Sequence, residues 1–402
     1  MDMMRKALLA FLLISTSPAW AKTIAVAPGE NDQEALQTAL IEAQPGDVIQ
    51  LAAGTYRLTN GLSLDVDNVT VRGAGPGASV LSFKGQTGAG EGLLVTSDRV
   101  LLTGFAVEDT KGDGIKAKGV DRITMDNLRI VWTRGPHKDN GAYGLYPVEA
   151  TNVLVQNSEV VACSDAGVYV GQSENIIVRN NRVSFNVAGI EIENSKHADV
   201  YGNLAHHNTG GILVFDLPNL PKMGGHSTRI FSNTVVDNDT PNFAPPGNIV
   251  AEVPQGLGIM VMANENVEVS GNRIEGNRTA AVMVVSYVRP FEDASYNPLA
   301  RNVRIFGNTL GRNGWDPKFP GGAELAAALG GGLPPVMWDG VTRFGDKPDD
   351  SATTPASDVP MVSLGLAVAG TPPTKAQPSP IAPAGASATL AAVVLPADQP
   401  MA

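Results

Sequence analysis

A single cysteine, Cys163, serves the whole sequence. No internal disulfide can form, so a chain of 402 residues must be held by the large core it is long enough to bury. Ala162 and Ser164 flank the thiol, and with no basic neighbour to favour the thiolate, Cys163 is expected to be buried and inert. Histidine is scarce too. The pair in "AHHN", His206 and His207, falls on a strand where successive side chains face opposite ways, and no Cys/His set completes a zinc site. Basic residues are outnumbered, 29 Lys and Arg against 40 Asp and Glu for a net charge of −11, which excludes the basic face that nucleic acid requires. Beyond the first residues no apolar run is long enough for a membrane-spanning helix. Few aromatics, many glycines and abundant Asn and Val point instead to β-rich repeats.

The two ends differ from the rest. "MDMMRKALLAFLLISTSPAWAK" places Arg5 and Lys6 before the apolar run Ala7–Ile14 and ends in the small-x-small site "AWA". This pattern predicts a signal peptide over 1–21, cleaved on export to the periplasm or outside the cell. From about 347 to 402 the composition turns to Ala, Pro, Ser and Thr without periodicity, and a disordered tail is expected there. The folded domain is then 22–346.

That domain repeats. "GVYVGQSENIIVRNNRVSFNVA" is followed by "GIEIENSKHADVYGNLAHHNTG" and by later units of the same design. Asn181, Asn203, Asn233, Asn272 and Asn308 are spaced 22, 30, 39 and 36 apart, and Asn186, Asn208, Asn238, Asn277 and Asn313 repeat those spacings. A basic period near 22 with three short alternating segments per unit predicts an all-β, right-handed parallel β-helix, one turn per unit. Ile115, Leu145, Val168, Ile190, Ile212 and Ile259 are the predicted inward stack. The Asn columns should stack at the bends. "NDQEALQTALIEAQPGDVIQL" predicts an amphipathic capping helix at roughly 32–43 that covers the first open coil.

The N-terminal pattern and the "GI-x-I … NI-x-V-x-N" units resemble the right-handed β-helix superfamily of pectate lyases and alginate C5-epimerases, and within it secreted β-helix-repeat proteins of no assigned activity. The resemblance covers about 24–345. It extends to "YGLYPVE": in the epimerases a Tyr-Gly-x-Asp-Pro-His-Asp motif lies here, whose His and Asp work at the sugar's C5. Tyr143, Gly144 and Pro147 match and Glu149 can stand for the last Asp. Tyr146 takes the Asp position and Val148 the His position, so epimerase chemistry does not carry over by this motif.

Four insertions, Trp132–Tyr143, Phe215–Thr228, Asp239–Gly256 and Ser286–Arg301, flank the "GI" strands and are expected to wall their face into a groove. Alternation places Lys116, Tyr146, Tyr169, Glu191, Leu213 and Met260 outward in one column. Lys118, Val148, Gly171, Glu193, Phe215 and Met262 form the next, followed at the turn by Glu149, Gln172, Asn194 and Asp216. For β-elimination on a uronate polymer, Tyr146, Tyr169 or His137 would be the base, while Lys116, Lys118 or Arg134 would hold the substrate carboxylate. Glu191 and Glu193, roughly 7 Å apart by strand rise, with Asp165 or Asp216, offer carboxylates for hydrolysis. Calcium suits Glu191, Glu193 and Asp216, yet no characteristic calcium loop is present and no metal or cofactor is assigned. The leading expectation is an acidic polysaccharide as partner, with lyase chemistry. The alternative is a non-catalytic periplasmic binding or assembly module that takes a protein partner or helps load a metal cofactor; the apolar strip Leu213, Phe215, Met260 and Met262 would suit such a partner unless a loop covers it.

Overall fold

The computed structural model describes residues 21–88 and 90–402. The expected signal peptide therefore lies, Ala21 apart, outside the described residues. Among these residues the strands stack into three large sheets of 12, 12 and 10 strands. The first runs from Thr23–Val26 to Ala356–Ser357, the second from Leu62–Leu64 to Ser379–Ile381, and the third from Gly54–Arg57 to Thr309–Leu310. The chain visits them in rotation. Ile115–Lys118 lies in the second sheet, Asp121–Asp126 in the first and Arg129–Val131 in the third, before Leu145–Val148 returns to the second. Each strand pairs in parallel with its counterpart one coil away, as Ile115–Lys118 does with Leu145–Val148. The architecture is a parallel β-helix.

The predicted inward stack is in register: Ile115 beside Leu145, then Val168, Ile190, Ile212 and Ile259. All six are buried, and each such side chain contributes about 1.5–3 kcal/mol of transfer free energy. No helix is long and apolar enough to cross a membrane among the described residues.

Both asparagine columns form ladders. The backbone N–H and the side-chain amide of Asn181 donate to Asn203 Oδ1 at 2.9 and 3.0 Å, and Asn203 repeats the pattern on Asn233 at 3.0 and 3.0 Å. Asn233 Nδ2 also donates to the Val200 carbonyl at 2.9 Å. The bends are thereby satisfied without water, and insertions of any length can leave the coil between rungs. Substituting Asn233→Ala deserts two buried donors on Asn203 and an acceptor on Val200. Each deserted group costs about 1–3 kcal/mol, so a loss of roughly 3 kcal/mol is expected, measured as a lower urea midpoint with an unchanged m-value.

Helix Asp32–Glu42 caps the first coil, burying Leu36, Ala39 and Leu40. The Asp32 carboxylate accepts from the N–H of Gly29 and of Arg57, both at 2.6 Å. At the other end the sequence expectation is corrected, because residues 347–402 are not an unstructured tail. Ala356–Ser357 extends the first sheet and Met361–Ser363 the second, and Ser379–Ile381 then lies antiparallel on Met361–Ser363. The last coil offers unpaired backbone groups that any segment can satisfy. Composition is blind to that demand. Beyond residue 382 the chain turns back across the outside of the first sheet, where Gln399 donates to the Ile123 and Asn152 carbonyls at 3.0 and 3.2 Å.

Candidate functional site

The outward columns of the second sheet are aligned as predicted. Lys116 pairs with Tyr146, Tyr169 with Glu191, and Glu191 with Leu213, which meets Met260. Lys118 pairs with Val148, Gly171 with Glu193, and Glu193 with Phe215, which meets Met262. Outward, however, does not mean exposed. Leu213, Phe215, Met260, Met262 and Met283 belong to a second apolar cluster with Val250 and Val253, Tyr287 and Tyr296, and Leu325 and Leu333. The loops expected to wall a groove fold down and fill it over the C-terminal coils. Exposed apolar surface is costly, about 25 cal/mol per Å², so a strip of Leu, Phe and Met draws the loops onto itself. An insertion between Leu310 and Val336, carrying helix Gly322–Ala328, joins this cover. Its signal, "GGAELAAALGGG", is an Ala-rich stretch between glycines.

The cover reaches the polar centre. Tyr169, Glu191 and Glu193 are 4%, 1% and 6% exposed, which removes the two glutamates as acid and base for hydrolysis in this state. Glu193 Oε1 accepts from the Tyr169 hydroxyl at 2.6 Å, and Glu191 lies in hydrogen-bonding reach of Glu193. Burial pushes Glu191 well up, and the charges of Asp165 and Glu193 add to it. Burial also raises Glu193, against hydrogen bonds from Tyr169 and Glu191. Asp165 is pushed to about 8 by burial and by Glu193 and Asp113, against a hydrogen bond from Asn248. Glu191 is therefore read as the proton carrier, donating to Glu193. Glu191 Oε2, Asp165 Oδ1 and Gln172 Oε1 have no protein partner.

At the edge of the cover the same sheet opens. Tyr143, Tyr146 and Tyr169 pack ring on ring, with centroids 4.5 Å apart for Tyr143 and Tyr146, 4.4 Å for Tyr143 and Tyr169, and 5.0 Å for Tyr146 and Tyr169. Tyr146 is half-buried. Lys116 Nζ stands 4.9 Å from its ring centroid and 3.1 Å from Glu91 Oε1. Asp113, beside Lys116, accepts from the Tyr143 N–H at 3.2 Å. Burial lifts Asp113 to about 6, with Lys116 pulling down and Glu91 pushing up. Burial and the carboxylates of Asp113 and Glu193 hold the Tyr146 phenol far above its ordinary value, so it stays protonated at neutral pH.

The other expected site residues divide. Lys118 and Glu149 form an exposed pair at 3.7 Å next to this edge. Gln172 is buried, with φ +53°. Asn194 is a structural staple: its amide donates to the Leu217 and Lys222 carbonyls at 2.8 and 3.0 Å, and its Oδ1 accepts from Leu217 N–H at 2.8 Å. Asp216 is similarly engaged by the Gly225 and Gly224 amides at 2.8 and 3.2 Å. It lines a separate cleft with Tyr296 and Arg301, where burial lifts its carboxyl to about 7. His137 and Arg134 are not brought to the tyrosines. His137 is exposed and contacts Asp139 of its own loop at 3.6 Å, whereas Arg134 bonds Asn140 at 2.5 Å and lines another cleft with Lys84, Lys111 and Trp132. No group of three or more His, Cys, Asp or Glu is placed to hold a metal ion among the described residues. Cys163 is buried, and its thiol is pushed far up by that burial.

Strand alternation alone does not single out Asp113, Glu91 or Asn248, and Tyr143 stands out only as a motif match. Asp113 stands just ahead of a "GI"-type strand in "DGI", as the candidate Asp165 does in "DAGV", a recurrence that marks it in the sequence.

The family model for the right-handed beta helix region matches residues 58–223, which fixes the hand of the coil. No curated protein matches the chain. Among solved structures, the A-module of the Azotobacter vinelandii mannuronan C-5 epimerase AlgE4 is similar over 87% of this chain and 96% of its own, with a TM-score of 0.57 and 14% identity. The alginate lyase from Paenibacillus sp. str. FPU-7 is similar over 73% and 97%, with a TM-score of 0.53 and 20% identity. The chain folds as a right-handed parallel β-helix, and at these identities the likeness speaks for the fold alone.

Proposed function

We propose that the protein is exported and binds an extended, uronate-containing polysaccharide across the open coils of the second sheet, cleaving it by β-elimination. The observation that carries this reading is the edge constellation of Lys116 over the Tyr146 ring with Asp113 alongside. Lys116 holds the substrate carboxylate and steadies charge as it builds there. Asp113, raised towards neutrality, takes the proton on the carbon beside that carboxylate. The electron pair forms the ring double bond, and the glycosidic oxygen departs with a proton from the Tyr146 phenol. The base thus moves from tyrosine, as expected from sequence, to Asp113, because a phenol surrounded by carboxylates keeps its proton. The similar epimerase and lyase are named for mannuronan and alginate, polymers of the acidic class proposed here.

The test is the full chain against alginates, pectates and other acidic glycans, followed by the ultraviolet absorbance of unsaturated uronate ends and by reducing-end release. Absorbance that grows with enzyme supports β-elimination. Reducing ends without absorbance would redirect the reading to hydrolysis. Silence from folded protein would favour the non-catalytic binding or assembly module, which has its own support in Val148 at the epimerase histidine position and in the loops that cover the C-terminal coils.

A further inference from the structure

The outer side of the first sheet carries a second column that alternation turns away from the core: Thr124, Leu154, Ile177, Asp199, Arg229 and Glu268, in register from strand to strand. Thr124, Leu154, Ile177, Asp199 and Glu268 are nonetheless buried. The C-terminal segment lies across them. Glu268 Oε1 accepts from the Thr389 N–H at 2.5 Å, the Thr389 hydroxyl at 3.0 Å and the Leu390 N–H at 3.0 Å. Three residues on, the Val393 N–H donates to Asp199 Oδ2 at 3.1 Å. Gln399 Nε2 then reaches the Ile123 and Asn152 carbonyls and Thr124 Oγ1, the last at 3.0 Å. Residues 394–398 must cross the strands of Ile177 and Leu154 between these anchors.

These contacts are of the kind by which a sheet face holds an extended peptide. Two carboxylates projecting from the sheet, Glu268 and Asp199, accept main-chain N–H groups of an extended chain and stand two strand-to-strand steps of about 4.8 Å apart, and a terminal pocket takes one amide side chain. The hold is also light. Among residues 386–402 only Gln399 is buried, Val394 and Met401 are 82% and 54% exposed, and Asp398 meets Arg122 at 3.1 Å through an exposed carboxylate. Pro396 and Pro400 lack the N–H that a β-ladder would need. A segment with one buried side chain and solvated contacts belongs to the low-stability end of local opening.

We propose that this face is a peptide-binding surface whose resident ligand is the chain's own segment 389–399, and that the same segment of a second copy docks there when the first is released. The cis segment competes from a high effective concentration, so the wild type masks its own site. The test uses the full chain, its Gln399→Ala variant and a fluorescent synthetic peptide of residues 386–402. Hydrogen exchange at Leu390 and Val393 should quicken at least ten-fold in Gln399→Ala, and that variant should bind the peptide at least ten-fold more tightly than the wild type does. A peptide carrying Gln399→Ala should lose most of this binding. Unchanged exchange in the variant would overturn the anchor. Released exchange with equal binding of the two peptides would overturn the surface, and leave the segment as packing alone.

Discussion

Replacing Lys116 by methionine is expected to lower kcat/KM on a uronate polymer by about 10²–10³-fold while leaving the urea midpoint almost unchanged. Lys116 is half-buried, and its ion pair with Glu91 is partly exposed on both sides, so its structural worth is small, about 1 kcal/mol or less. Its worth in the reaction is larger, since charge on the substrate carboxylate grows only as the proton leaves. Asp113→Asn should cost a further, separable factor of about 10²–10⁴, and the pH profile distinguishes the two. The wild-type rate should rise with pH through about 6, where Asp113 loses its proton, and Asp113→Asn should abolish that limb. In Lys116→Met the limb should persist but move upward, because the lysine charge now draws the Asp113 pKa down. A limb that stays in place in both variants would remove Asp113 as the base.

What could be read from sequence follows from which forces are periodic. The coil, its inward stack and both Asn ladders repeat at fixed offsets, so Ile190 and Asn233 declare their roles without a structure. The lateral alignment of Lys116, Tyr146, Tyr169 and Glu191 follows from the same arithmetic. Burial does not. Whether the outward column is exposed depends on a cover to which Val250, Tyr296 and Leu325 belong, carried in by insertions that obey no period. The partnering of Asp113 with Lys116 and the placement of His137 in a different neighbourhood are likewise products of loop course. The tail shows the limit most clearly: Gln399 finds its carbonyl partners more than 240 residues earlier in the chain, and nothing in an Ala- and Pro-rich composition announces that contact.

The buried carboxyls make a second large effect, on stability. Asp165, Glu191 and Glu193 share one covered site, and among the described residues no neighbouring cation offsets their burial. Their folded pKa values are raised, so the folded state binds more protons than the unfolded chain once pH exceeds the ordinary carboxyl value near 4. Stability is therefore fully present below that value and falls as pH rises towards about 8, the Asp165 figure. Every tenfold change in a carboxyl's proton affinity on folding is worth about 1.4 kcal/mol. The wild type should thus be less stable at pH 8 than at pH 5 by a few kcal/mol, on the order of 5–10 °C in Tm or less for a chain this long. Glu191→Gln keeps the shape and a donor for Glu193 but removes one ionisation. It should match the wild type at pH 5, exceed it at pH 8, and flatten the slope between them. Thermal unfolding at the two pH values decides the matter. A wild type whose stability is level or increases from pH 5 to 8, with Glu191→Gln no better than wild type at pH 8, would mean that the site is neutralised by a bound cation or is open to water, and that the three carboxylates ionise at no cost to the fold.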